Sequence, residues 1–161
     1  MSLFKRRSLL ALPLALAACG FSPVYGTGGT GAKLRAQVLI EEPSTQEAYL
    51  LTRNLETRLG RSGNNARYIL TYTITTDEDG LAISASDETT RFNIIGKAEY
   101  ALQDTATGTV VTSGNVKNFT AYSATGTTVA TLAAEQDALE RLMVILADQI
   151  TTRLYAVDLP A

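Results

Sequence analysis

Between residues 66 and 76 apolar and polar side chains alternate almost without fault. Tyr68, Leu70, Tyr72 and Ile74 share one face, and Ile69, Thr71, Thr73 and Thr75 share the other. A period of two predicts a strand with one packed face and one semi-polar face. The alternation returns from Thr89 to Gln103, where Phe92, Ile94, Gly96, Ala98, Tyr100 and Leu102 oppose Arg91, Asn93, Ile95, Lys97, Glu99 and Ala101. Thr109 to Tyr122 reads as the next strand. Val116 and Phe119 fall out of phase there, which predicts a bulge near Gly114. A first strand is expected over 33–41, where Leu34, Ala36, Val38 and Ile40 alternate and Pro43 follows.

A helical period appears twice. Ser44 and Glu47 match a capping box, with Ser44 as N-cap. Ala48, Leu51, Leu55 and Leu59 then form a stripe that runs to about Arg61, with Gly60 and Gly63 as the stop. The second helix spans about Thr127 to Tyr155, with Val129, Leu132, Leu139, Leu142, Met143, Leu146, Ile150 and Leu154 on its stripe. Glu135, Asp137 and Glu140 crowd its first half and Arg153 its end, as the macrodipole favours. Turns are expected at Asp77–Gly80 and Asp104–Gly108, with 81–86 extended and an interruption at Asp87-Glu88.

The order β-α-β-β-β-α predicts an α+β fold, a two-layer sandwich. Its sheet is four-stranded, mixed and mostly antiparallel, because three strands joined by short turns make a meander. Both helices carry one apolar stripe, so both lie on one face of the sheet. The other face keeps Thr, Asn, Lys and Glu.

The first 32 residues obey different rules. Lys5-Arg6-Arg7 is a positive n-region and Ser8 to Ala18 an apolar run rich in Leu and Ala. At about eleven residues that run has the length of a secretory h-region and is too short to span a bilayer as a helix. Leu16-Ala17-Ala18-Cys19 resembles the bacterial lipobox. The resemblance implies that the Cys19 thiol takes a diacylglyceryl group and that the chain is cut before it. Arg6-Arg7 also partly resembles a twin-arginine export signal. Residues 1–18 are therefore expected as a lipoprotein signal peptide, 19–32 as the lipidated cysteine with a flexible tether, and 33–161 as one α+β domain. Gly26, Gly28 and Gly31 spell G-x-G-x-x-G. They lack the preceding strand that a dinucleotide site needs, so a plain tether is expected.

Composition removes several classes of function. The chain of 161 residues has no histidine and one cysteine. It cannot build a Ser-His-Asp or Cys-His site, a Cys/His zinc cluster or an intrachain disulfide. Without the three N-terminal bases the formal charge is 11 − 16 = −5, a poor basis for gripping nucleic acid. Asp77, Glu78 and Asp79 lack the ligand spacing of a calcium loop. A two-carboxylate hydrolase is the remaining enzymatic option, and the acids cluster on turns and helix faces where solvated roles are ordinary. No cofactor is expected.

One family now shares enough features to be named. Cys19 is followed by Gly20-Phe21-Ser22-Pro23-Val24-Tyr25-Gly26, and the element order is as above. The last helix reads Ala133-Ala134-Glu135-x-Asp137-Ala138-x-x-Arg141, then Leu146-Ala147-Asp148-x-Ile150-x-x-Arg153-Leu154. Together these resemble the LptE family of lipopolysaccharide-assembly lipoproteins in its alphaproteobacterial form. The resemblance implies a non-enzymatic protein at the inner leaflet of the outer membrane. It implies a plug or partner of the LptD β-barrel that binds lipopolysaccharide and helps deliver it. Gly20, rather than Asp, after the cysteine is similar to an outer-membrane address. Lipid A phosphates would be met by Lys or Arg, and Arg91, Lys97 and Lys117 are the candidate group on the strands. Leu132-Ala133-Ala134 carries no charge where family members hold a basic residue. The alternative is an auxiliary lipoprotein of another envelope lipid-transport complex.

Overall fold

The computed structural model describes residues 24, 26, 28–63, 65–83 and 89–159. The export signal, Cys19, the Asp87-Glu88 interruption and the last two residues lie outside the described residues. The described elements are α1 (Thr30–Leu34), β1 (Val38–Ile40), α2 (Gln46–Leu59), β2 (Tyr68–Ile83), β3 (Thr89–Asp104), β4 (Val110–Ser123) and α3 (Thr128–Tyr155). The sheet order is β1-β2-β3-β4, with β1 parallel to β2 and the rest antiparallel. This is the mixed four-stranded α+β sandwich that the periodicity predicts.

The α2 helix starts one residue later than the capping-box reading. Thr45 is the N-cap, and its Oγ1 accepts the Ala48 amide at 3.2 Å. With Thr45 as cap the third helical position is Ala48, so no reciprocal Glu is available. At the other end Gly60 takes φ 79°, a left-handed backbone that glycine adopts without steric cost, and donates its amide to the Glu56 carbonyl. In α3 the N-cap is Thr127, with Ala130 donating to its Oγ1.

The core lies between the helices and one face of the sheet. Tyr68 and Leu70 of β2, Ala98 and Leu102 of β3 and Val116 of β4 meet Leu51, Leu55 and Leu59 of α2 and Leu142, Leu146 and Ile150 of α3. The α2 helix sits over β2, where Tyr72 Oη donates to the Ala48 carbonyl. The α3 helix sits over β3 and β4, where Thr120 Oγ1 donates to the Ala138 carbonyl at 2.8 Å. That bond satisfies one of the few polar side chains buried in the core. Gly96 lets α3 come close to β3. A Cβ built there would stand 2.9 Å from Leu142 Cδ2 and 3.1 Å from Leu146 Cδ1.

Several local expectations are corrected. The strand expected over 33–41 keeps only Val38–Ile40. Residues 30–34 form α1 instead, because Leu34 is buried as the apolar anchor of that turn while Ala36 is exposed at φ 56°. Residues 30–32, expected as the end of the tether, belong to α1 instead. Asp77–Gly80 is not a turn: β2 runs through it, with Asp77 opposite Ile95 and Asp79 opposite Asn93. Acidic side chains are tolerated there because this stretch is exposed. The bulge falls between Leu102 and Gln103, where β4 skips Val111, and not at Gly114. Gly114 pairs regularly with Tyr100, whose ring fills the space a Cβ would need. The phase break has another cause: Phe119 points away from the core and is 59% exposed. On α3, Val129 and Leu132 leave the core stripe and are exposed.

Candidate functional site

The face of the sheet away from the helices is the candidate site. Its residues are those left outward by the alternation that buries Ala98 and Val116. Lys97 pairs directly with Lys117 across β3 and β4, and Thr75 of β2 pairs with Lys97 on the other side. Both lysines are exposed. Like charges set directly opposite repel and cost stability. An anion between them would remove the repulsion and gain two charge-assisted contacts.

Arg91 lies on the same face, opposite Ser123. Six residues of strand separate it from Lys97, about 20 Å at roughly 3.4 Å per residue. The structure thus joins two members of the expected trio and leaves the third apart. Cys19 lies outside the described residues.

Beside the lysines is a feature that sequence reasoning missed. Ile95 pairs with Phe119 on the exposed face, and with Asn93, Lys117 and Asn118 they line a mainly apolar depression of about 370 Å³. Among the described residues nothing donates to the shielded Asn93 Oδ1. The signal was present in the chain. Ile95 and Phe119 are apolar side chains at positions whose neighbours are Asn and Lys. An apolar floor next to paired ammonium groups suits an amphiphile with an anionic head.

A second concavity of about 340 Å³ opens at the far end of the sandwich, between the first turn of α2, β2, β3 and the first half of α3. It opens where β2 outruns α2. The sixteen residues of β2 extend about 50 Å, while the fourteen of α2 cover about 21 Å. Glu47, Asp77, Glu78 and Glu135 line it. Glu78 is committed to structure, since its Oε1 accepts from Tyr122 Oη at 2.5 Å. The Tyr122 ring also stacks on Phe92, centroids 5.4 Å apart. Burial raises the Tyr122 pKa, and the Glu78 carboxylate raises it further. Among the described residues no group of three or more carboxylates is placed to hold a metal ion.

The third feature is a clasp. Thr30 Oγ1 donates to the Val157 carbonyl at 2.9 Å, and Lys33 Nζ to the Leu159 carbonyl at 2.8 Å. The Gly31 amide donates to Val24, which fixes the incoming chain at the C-terminal end of α3.

These features define a class: a small α+β domain with one sheet face covered by helices and one left open, entered by its N-terminal segment at a single pole. Solved structures share that fold. A lipoprotein from Caulobacter crescentus CB15 is similar at 25% identity and TM-score 0.65, over 80% of this chain and 95% of that one. Rare lipoprotein B from Shewanella oneidensis is similar at 13% identity and TM-score 0.55, over 74% and 92%. A minor lipoprotein from Acinetobacter baumannii gives 15% and 0.56, over 76% and 94%. No curated protein matches the chain in sequence. Residues 37–154 match the LptE family, described as lipopolysaccharide-assembly, and the chain belongs to that family.

Proposed function

We propose that this protein is an outer-membrane lipoprotein, acylated at Cys19, that assists lipopolysaccharide transport and assembly as plug and partner of an LptD-type β-barrel. The observation that carries the ligand part is the open sheet face, with Lys97 opposite Lys117 beside the Ile95–Phe119 depression. Lipid A presents phosphates next to acyl chains, and this face presents ammonium groups next to an apolar floor. Arg91 contributes a separate cation further along the same strand. The Thr, Asn and Lys side chains of this face suit the wet, polar interior of a large barrel. Family membership supports the assembly role. Two or more acyl chains on Cys19 give stable anchoring, each buried CH2 contributing about 0.8 kcal/mol.

The test is a co-purification. The tagged lipoprotein is extracted from its own host in mild detergent and its partners are identified by mass spectrometry. A stoichiometric large outer-membrane barrel is expected, with lipopolysaccharide retained by the wild type and reduced in Lys97→Ala/Lys117→Ala. Recovery of inner-membrane transporter subunits, or of the protein alone, sinks the plug reading. Equal retention by the double variant sinks the ligand site.

A further inference from the structure

The charges of the domain are sorted along its long axis. One pole is the end where the chain enters. The Ala36 amide donates to Leu59, Tyr68 to Gln37 and Thr105 to Arg67, while Tyr155 Oη donates to the Arg58 carbonyl. These bonds bring α1, the ends of α2 and α3, and the start of β2 together. Lys33, Arg35, Arg58, Arg61, Arg67 and Arg153 belong to them, against Glu56, Asp104, Asp148 and Asp158, giving 6 − 4 = +2. The opposite pole holds Glu47, Asp77, Glu78, Asp79, Glu135 and Asp137 against Arg91 and Arg141, giving 2 − 6 = −4 among the described residues.

The clasp decides which pole meets the membrane. Val24 is held at the basic pole by the Gly31 amide, and α1 is held there by the Val157 and Leu159 carbonyls. Cys19 precedes Val24 by 24 − 19 = 5 residues. Five residues of fully extended chain span about 17 Å at most. Within the expected tether Val24, Gly26 and residues 28–32 are therefore not free length. The basic pole stays within a short reach of the lipid, while Asp77 and Asp79 of the acidic pole lie about 31–37 Å from Tyr68 along β2 when the domain stands upright.

We propose that the basic pole docks on an anionic phospholipid surface and that the charge polarity holds the anchored domain upright. This rests on the proposed acylation of Cys19 and describes the anchored lipoprotein before it enters a barrel. An anionic leaflet attracts each Lys or Arg near it by about fivefold in partition, and repels carboxylates in the same zone. The field fades within about 8 Å. A domain that tips over brings Asp77, Asp79 and Glu135 into that zone, whereas an upright one keeps them clear. Arg35 and Arg61 are exposed cations of this pole, Arg61 bridging to Glu56 at 2.9 Å while remaining largely open to solvent.

The test uses the full mature, acylated protein in lipid nanodiscs with nitroxide-headgroup quencher. A fluorophore is placed on a single new cysteine, either Gln37→Cys at the basic pole or Asp79→Cys at the acidic pole. The ratio of quenching, position 37 over position 79, is read in phosphatidylglycerol and in phosphatidylcholine. It is expected to be at least about threefold higher in the anionic discs, and to fall to the neutral value in Arg35→Glu/Arg61→Glu. A ratio indifferent to lipid charge, or unchanged in that variant, overturns the proposal. Circular dichroism checks that the variant is folded. Failure of the anchor reading shows separately, as an unmodified Cys19 peptide by mass spectrometry. In that case flotation of the unacylated chain with phosphatidylglycerol vesicles decides. Binding that is lost at high salt and in the double variant supports the basic pole, and no binding at low salt overturns it.

Discussion

Lys97 of β3 and Lys117 of β4 face each other as a directly paired, exposed couple on the uncovered side of the sheet. Nothing in the packing of the sandwich requires two like charges there. Replacing Lys117 by Thr is expected to raise stability by about 0.2–1 kcal/mol at low salt, with the gain shrinking as salt is added. Urea unfolding at two ionic strengths measures it. A loss of stability instead would mean that the lysine stems contribute more by packing on Phe119 than their charges cost.

At Gly96 the β3 backbone lies against Leu142 and Leu146 of α3 with no room for a side chain. Gly96→Ala forces a methyl group against Leu142 and Leu146, and overpacking of this kind costs about 1–3 kcal/mol. The melting temperature should fall. Combined with Leu142→Ala, the double variant should lose less stability than the sum of the two single losses, because the two sites share one space.

Tyr122 sets an alkaline limit. Its folded pKa is raised above the unfolded value of about 10. The stability this provides is fully present below pH 10 and is lost as pH rises further, because the unfolded chain can ionise the phenol while the folded one resists. Tyr122→Phe removes that slope. Urea midpoints between pH 9 and pH 11 should fall for the wild type and change less for the variant.

Asp104 sets an acid limit by the opposite sign. The Ala106 amide, then the Thr107 amide and the Arg67 guanidinium, hold its carboxyl below the ordinary range despite the opposing effect of burial. Its stabilisation is present above about pH 4 and is lost as pH falls through the lowered value. Asp104→Asn should flatten the acid limb of a stability profile and loosen the β3–β4 turn, seen as faster amide exchange at Thr107.

How far the chain discloses this structure depends on what each pattern is a record of. The alternation in β2 and β3 records a buried face against an open one, so the order of elements and the layers were legible. Register was not, because Asp77-Glu78-Asp79-Gly80 has turn composition, yet Tyr122 and the pairing with β3 keep it extended. The lysine pair was partly legible: the faces of Lys97 and Lys117 follow from parity, but their direct opposition depends on where the bulge falls. Arg91 shares that parity and still stands apart, since parity gives the face and not the distance. The clasp was hidden, because Lys33 and the Leu159 carbonyl are joined over 126 residues of sequence.

The strands stand side by side in the order in which they leave the ribosome. Each therefore finds its neighbour already made, and most ordering proceeds by short loop closures, which are fast. The clasp is the exception, since its two halves lie near opposite ends of the domain. It is expected to form late, after the rate-limiting barrier is crossed. Lys33→Ala should accordingly speed unfolding and leave the refolding rate unchanged in stopped-flow measurements. In the anchored form proposed above, the clasp is a brake on coming apart rather than an aid to coming together.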